Sequence, residues 1–230
     1  MEAFTGNTWF KSLPEADAQQ LLASAQPRQL AKGEFLLHQG DAYGSASSAF
    51  FGIAEGLVKL SVFHPDGNEA VLTLMEAGNW LGEVSLLTQR AQAHNVIAVA
   101  DSTVLVVTAE RFDALMEHPA FARSIARLES ERLRLAYGLM ADSTLPSTGQ
   151  RVARRLVLLA HGDVTLANSE RDSITTSQDT LAMMLGISRP TLSKELGTLA
   201  RLGAVALRYG RIEVKDMALL IECAGKSAKA

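Results

Sequence analysis

SQDTLAMMLGISRPTLSKELGTL, residues 177–199, decides how this chain is read. Leu181, Met184 and Leu185 give a first helix an inward face, and Thr175 to Gln178 has the spacing of a capping box at its start. Gly186 ends that helix where a left-handed residue is needed. Ser188 then caps a second helix, and Pro190 falls in its first turn, where a missing N–H costs nothing. Two helices crossing about such a turn make a helix-turn-helix. Leu192, Leu196 and Leu199 must face the core, which turns Arg189, Pro190, Ser193 and Lys194 outward, with Glu195 and Gly197 at the edge of that face.

The outward residues suit a DNA groove. Arg189 can donate two hydrogen bonds to a guanine edge, Lys194 can reach a base or a phosphate, and Pro190 offers an apolar contact to a thymine methyl. Ser177, Gln178, Ser188 and Thr191 stand at the two helix starts, where phosphates bind. Two short strands follow, AVALR and RIEVKD, joined through Tyr209-Gly210, so that Arg208 and Arg211 lie on a hairpin wing. A plain helical hairpin with solvated basic residues explains less, because caps, turn glycine, polar outer face and hairpin occur together.

Charge points the same way. The 230 residues carry a net charge of only −3, but residues 1–146 hold 10 basic and 17 acidic side chains, whereas residues 147–230 hold 12 and 8. The basic surplus belongs to the part with the helix-turn-helix.

Upstream, Gly33 to Thr108 runs in short strand-like stretches between glycines, the pattern of a β-sandwich or β-roll, with Asp66-Gly67 as a hairpin signal. Glu15–Ala25 reads as a short covering helix. From Ala109 the apolar period changes to that of a helix, broken at His118-Pro119 and then continuing for some two dozen residues. In that long helix Phe121, Ile125, Leu128, Leu135 and Leu139 form a heptad-like seam with Arg132 at the remaining position. Flanking charges favour pairing with a second copy over packing on the roll. Residues 145–149, LPSTG, read as a hinge. The expected fold is α+β: a β-roll sensor domain over 1–118, a dimerisation helix and hinge over 119–144, and a winged helix-turn-helix domain over 145–230.

The whole pattern resembles the CRP/FNR superfamily of bacterial transcription regulators. KGEFLLHQGD (32–41), the Gly56-Leu-Val-Lys strand, EAGNWLGEVSLL (76–87), RVARRLVLLA (151–160) and the helix-turn-helix carry the resemblance. It implies a homodimer on a two-fold symmetric operator in double-stranded DNA, with RNA polymerase as partner. It also implies a ligand pocket at Gly82, Glu83, Val84, Ser85, Gln92 and Ala93. Members that bind cyclic AMP pair a Gly-Glu with an Arg-Ser or Arg-Thr about ten residues on. Gly82-Glu83 matches the first pair, whereas the second falls on Gln92-Ala93, or on Ala93-His94 in a one-residue-longer alignment. A sealed phosphate needs charged donors, so usual cyclic AMP binding is not expected. Arg90 stands two residues early on the same loop, and Glu83 can serve the roll alone by bonding loop N–H groups. A cyclic dinucleotide held by Arg90, Arg132, Arg134 or Arg151 remains open, as does a roll without effector.

Other classes fit less well. The lone Cys223 excludes an internal disulfide and a cysteine-ligated iron–sulfur cluster. His38, His64, His94, His118 and His161 are scattered and supply no His-x-His metal set for an enzyme built on a roll, so no catalytic or metal residues are assigned. A regulatory subunit acting on a protein partner would not need the basic winged helix. No apolar run is long enough for a membrane span, and the start lacks signal-peptide order, so the cytoplasm is the expected location.

Overall fold

The computed structural model describes residues 2–45, 47–144, 146–162 and 171–225. The chain divides into two compact units between Arg132 and Leu133. In the first, α1 (Glu2–Thr5), α2 (Thr8–Lys11) and α3 (Glu15–Ala23) precede a roll of eight strands. These are β1 (Gln26–Leu30), β2 (Phe35–Leu37), β3 (Ala49–Glu55), β4 (Leu57–Phe63), β5 (Glu69–Glu76), β6 (Trp80–Leu81), β7 (Asn95–Ala98) and β8 (Ser102–Thr108). They form two four-stranded sheets, ordered β1-β8-β3-β6 and β2-β7-β4-β5. Every pairing is antiparallel. One core lies between the sheets, with Ile53, Val58, Met75, Val96 and Val104.

A second core joins the N-terminal helices to the roll's outer face. Phe4, Trp9 and Phe10 meet Phe50 and Trp80 there, together with α5 (Ala109–Met116) and the first turns of α6 (Pro119–Thr144). The Trp9 indole N–H donates to the Ser124 carbonyl of α6 at 2.9 Å, which satisfies the one polar atom of a buried ring.

The long helix starts at the expected Pro119, but its expected seam is corrected. Phe121, Ile125 and Leu128 are buried in this second core, so they cannot meet another subunit. Arg132 turns inward to Glu83, and Leu135 and Leu139 are half-buried. The face left open carries Leu133, Tyr137 and Met140, which are 52%, 62% and 66% exposed. Both faces obey a four-and-three spacing, and only burial distinguishes them.

The second unit continues through α7 (Thr148–Ala160), β9 (Ser173–Thr175), α8 (Gln178–Leu185), α9 (Arg189–Arg201), β10 (Val205–Arg208), β11 (Arg211–Val214) and α10 (Met217–Cys223). Leu145, the first residue of the expected hinge, lies outside the described residues; Ser147 caps α7 with a full capping box to Gln150. Val152 and Leu156 of α7 share a core with Leu181, Leu192, Leu196, Leu199, Ile212 and Leu220. The wing is a three-stranded sheet, β10-β11-β9, rather than the two-stranded hairpin that the sequence suggests.

Candidate nucleic-acid interface and the roll's polar cluster

Local chemistry sets the two helices of the reader. Ser177, not the Thr175 of the expected box, caps α8 by accepting from the Thr180 N–H at 3.0 Å. Thr175 is instead the last residue of β9. Gly186 closes α8 at φ 62°, in the left-handed region. Ser188 caps α9 by accepting from the Thr191 N–H at 3.3 Å, with Pro190 in the first turn. Leu192, Leu196 and Leu199 are buried as expected, and Arg189, Pro190, Ser193 and Lys194 are exposed. Glu195 is half-buried, and its carboxylate lies where a Cβ on Gly149 would stand, so it faces α7.

Three features gather at one end of this unit. Arg211 of the wing pairs with Thr175, two residues before the α8 cap. Asp179 in the first turn of α8 lies 3.5 Å from Nε of Arg189, the first residue of α9. The wing tip therefore adjoins the start of α8, and the start of α8 adjoins the start of α9. Ser177, Gln178, Ser188, Thr191, Arg208 and Arg211 are thus brought to the same end as the outward face of α9. Helix starts present unpaired N–H groups and positive dipole ends, which favour phosphates.

The wing carries its own charge cluster. Arg208, Arg211 and Lys215 lie 3.4, 3.0 and 3.0 Å from the single carboxylate of Glu213. The Lys215 hydrogen bond, ahead of the Lys215 charge and then the charge and hydrogen bond of Arg208, holds that carboxyl below its usual range. Three cations on one anion leave a positive surplus. Between Arg208 and Arg211, Tyr209 is fully exposed. Asp179 carries no expected role in the sequence, and Tyr209 only that of a turn residue; an acidic and an aromatic side chain within an otherwise basic reader are the signal that marks them.

In the roll, Gly82 and Glu83 begin α4 (Glu83–Thr88). Gly82 takes φ 100°, and a Cβ there would come within 2.3 Å of the Ala49 carbonyl oxygen, so the fold itself requires glycine. Glu83 is only 3% exposed, and its hydrogen-bond partner among the described residues is a side chain rather than loop N–H groups. Its Oε1 accepts from Arg132 Nη1 at 2.6 Å, and Arg132 also bonds Glu129 at 3.1 Å and the Trp80 carbonyl. With both carboxyls ionised, Glu83 Oε2 and Arg132 Nε have no hydrogen-bond partner among the described residues, whereas a proton on Glu129 supplies a hydrogen bond to Glu83. Burial first, and then the Glu83 charge, push Glu129 up to about 7 against the opposing effect of Arg132. Burial likewise lowers the half-buried His94, with the Glu83 charge opposing.

Gln92 is turned inward and is 7% exposed. Its Nε2 donates to Ser85 Oγ at 2.9 Å and to the Ser47 carbonyl at 3.0 Å, and Ser85 Oγ donates in turn to the Gly82 carbonyl. Both N–H bonds of the amide are thereby committed within the protein. Val84, Ala93 and Arg90 are exposed. Of the remaining arginines considered for a dinucleotide, Arg151 donates to the Leu185 carbonyl in the second unit, and Arg134 is exposed.

The described residues contain no group of three or more metal-ligating side chains, and no described helix is long and apolar enough to cross a membrane. Residues 27–118 match the cyclic nucleotide-binding domain, and residues 150–223 match the Crp-like helix-turn-helix domain. The chain is 32% identical over 221 residues to the cyclic AMP receptor protein of Thermus thermophilus, covering 95% of this chain and 97% of that one. It is 26% identical to a CRP-like cAMP-activated global transcriptional regulator of Mycobacterium tuberculosis, covering 90% and 92%. A solved CRP-family transcriptional regulator from Thermus thermophilus superposes with a TM-score of 0.68 at 25% identity, covering 88% of this chain and 99% of that structure.

Proposed function

We propose that this chain, which belongs to the CRP/FNR superfamily of transcription regulators, acts as a homodimer on a two-fold symmetric operator, and that its roll does not take cyclic AMP in the usual way. The observation that carries the DNA reading is the gathering of the α8 start, the α9 start and the wing tip at one end of a basic unit. Arg189 reads a guanine edge, Lys194 a base or phosphate, and Arg208 and Arg211 hold the backbone. Two-fold symmetry sets the recognition helices about 34 Å apart, one turn of DNA. RNA polymerase is the partner through which such a bound dimer acts. The relatives are named as regulators, which supports reading this chain as a DNA-acting protein of the cytoplasm rather than an enzyme.

The second subunit is offered the open face of α6. Leu133, Tyr137 and Met140 form an apolar stripe at four-and-three spacing, which is what a coiled-coil partner covers.

Gln92 supports the reading of the roll. An amide whose two N–H bonds are already used supplies neither charge nor donor to a phosphate, and losing a charge-assisted bond costs about 1.5 to 3 kcal/mol. A second reading, a roll responsive to a cyclic nucleotide or cyclic dinucleotide, is favoured by one feature: buried Glu83 has acceptor capacity beyond Arg132, which a ligand hydroxyl can use in place of the Glu129 carboxyl. Selection of binding sites from randomised DNA, followed by affinity measurement with Arg189→Ala, tests the function. Recovery of an inverted repeat whose preference is lost in the variant is expected; no enriched site would sink the reading.

A further inference from the structure

We infer that Asp179 is a specificity-determining positioning residue, whose carboxylate holds the Arg189 guanidinium for end-on reading of a guanine. This inference rests on the DNA reading above.

Asp179 sits 3.5 Å from Nε of Arg189, and no other described residue forms an ion pair or hydrogen bond with that arginine. The contact therefore engages the inner nitrogen and leaves both terminal nitrogens open. End-on bidentate recognition of guanine O6 and N7 uses those two terminal nitrogens. Both side chains are more than half exposed, so without DNA the pair contributes little to stability. Its value lies in fixing a long, rotamer-rich side chain before it meets the base.

A carboxylate at this place also has a cost. It stands at the same end as Arg208, Arg211 and the two helix starts, where a phosphate backbone would approach, and it repels phosphate whatever the sequence. Asp179 therefore lowers affinity for all DNA while raising the preference for the correct site. A residue serving only as a helix-start charge would not produce those two opposite effects. Nor would a merely structural residue, whose loss weakens specific and non-specific binding together.

The test uses the full chain and the operator recovered by selection. Affinities are measured for that operator, for the same site with the Arg189-contacted G·C pair replaced, and for unrelated DNA. The ratio of the first two, taken within one preparation, is independent of the active fraction. Asp179→Ala is expected to lower that ratio by about threefold to tenfold, a part of the discrimination a bidentate contact supplies. It should also bind unrelated DNA more tightly than the wild type does. Asp179→Glu keeps the charge that pairs with Nε and should recover most of the ratio, together with the weaker non-specific binding of the wild type. An unchanged ratio in Asp179→Ala, or weaker binding to every sequence, overturns the inference. Arg189→Ala in the same assay separates the two levels of the argument: if it too leaves the ratio unchanged, the DNA reading of α9 fails, whereas a loss confined to Arg189→Ala removes only the role of Asp179.

Discussion

Arg132 Nη1 lies 2.6 Å from Glu83 Oε1 and 3.1 Å from Glu129, so a single guanidinium ties α4 to α6 and stands between two carboxylates. The arrangement has one cation too few for two anions. Glu129, more exposed than Glu83, holds its proton up to about 7, chiefly through burial and then through repulsion from Glu83. In the unfolded chain the same carboxyl returns to its ordinary value near 4.5. Between those values the folded state binds the extra proton, so this contribution to stability is complete below the lower value and is lost as pH rises through about 7. Thermal melts from pH 5.5 to 8.5 should show the wild type losing stability relative to Glu129→Gln as pH increases. A difference that stays constant across this range would mean that Glu129 titrates normally.

Removing the cation has a larger effect than removing the second anion. Arg132→Met strands the Glu83 carboxylate in a buried site, and breaking a buried pair from one side costs about 3 to 5 kcal/mol. At about 2 to 4 °C per kcal/mol, the transition of the roll should fall by at least about 6 °C. Adding Glu83→Gln to the same chain removes the stranded charge and should recover part of the loss. Additive effects in this double-mutant cycle would show that the two side chains are not coupled.

What the sequence made legible follows how local each determinant is. The caps at Ser177 and Ser188, the turn at Gly186 and the buried Leu192, Leu196 and Leu199 all lie within one short stretch, and the reader was visible from it. The sequence assigns Phe121, Ile125 and Leu128 to a subunit seam rather than to the roll core because α6 carries two apolar stripes with the same spacing. Choosing between Phe121-Ile125-Leu128 and Leu133-Tyr137-Met140 requires knowing that Trp9, Phe50 and Trp80 cover the first. Short α1, α2 and α10 have too few turns for a period, and β9 is three residues long. At the roll, the missing arginine was legible but its replacement was not. Gln92 bonds the carbonyl of Ser47, 45 residues earlier, and Glu83 finds Arg132 49 residues later. Such pairings exist only after folding.

The network around Gln92 makes a direct prediction for the effector. Gln92→Ala removes the donor to both Ser85 Oγ and the Ser47 carbonyl, and leaving buried polar groups unpaired costs about 1 to 3 kcal/mol. The variant should melt lower than the wild type, and neither protein should be stabilised by millimolar cyclic AMP. Ligand excess over a tight dissociation constant raises a melting temperature by mass action, so the measurement is sensitive. A clear rise with the wild type would show that a phosphate is accommodated despite Gln92, in favour of the cyclic nucleotide reading.

The open face of α6 can be tested without DNA. Each buried apolar side chain in a helical seam contributes about 1.5 to 3 kcal/mol, and a symmetric dimer counts every position twice. Leu133→Glu combined with Met140→Glu places like charges opposite one another along the seam while leaving Phe121, Ile125 and Leu128 in the roll core. Sedimentation equilibrium should show the dimer dissociation constant raised by at least about 100-fold, with the roll still folded and its melting transition lowered only by the lost mass-action contribution of the partner. The same variant should bind a half-site nearly as well as the wild type but lose the extra affinity of the full inverted repeat, because that gain comes from linking two readers. A variant that remains dimeric would place the subunit interface elsewhere on the chain.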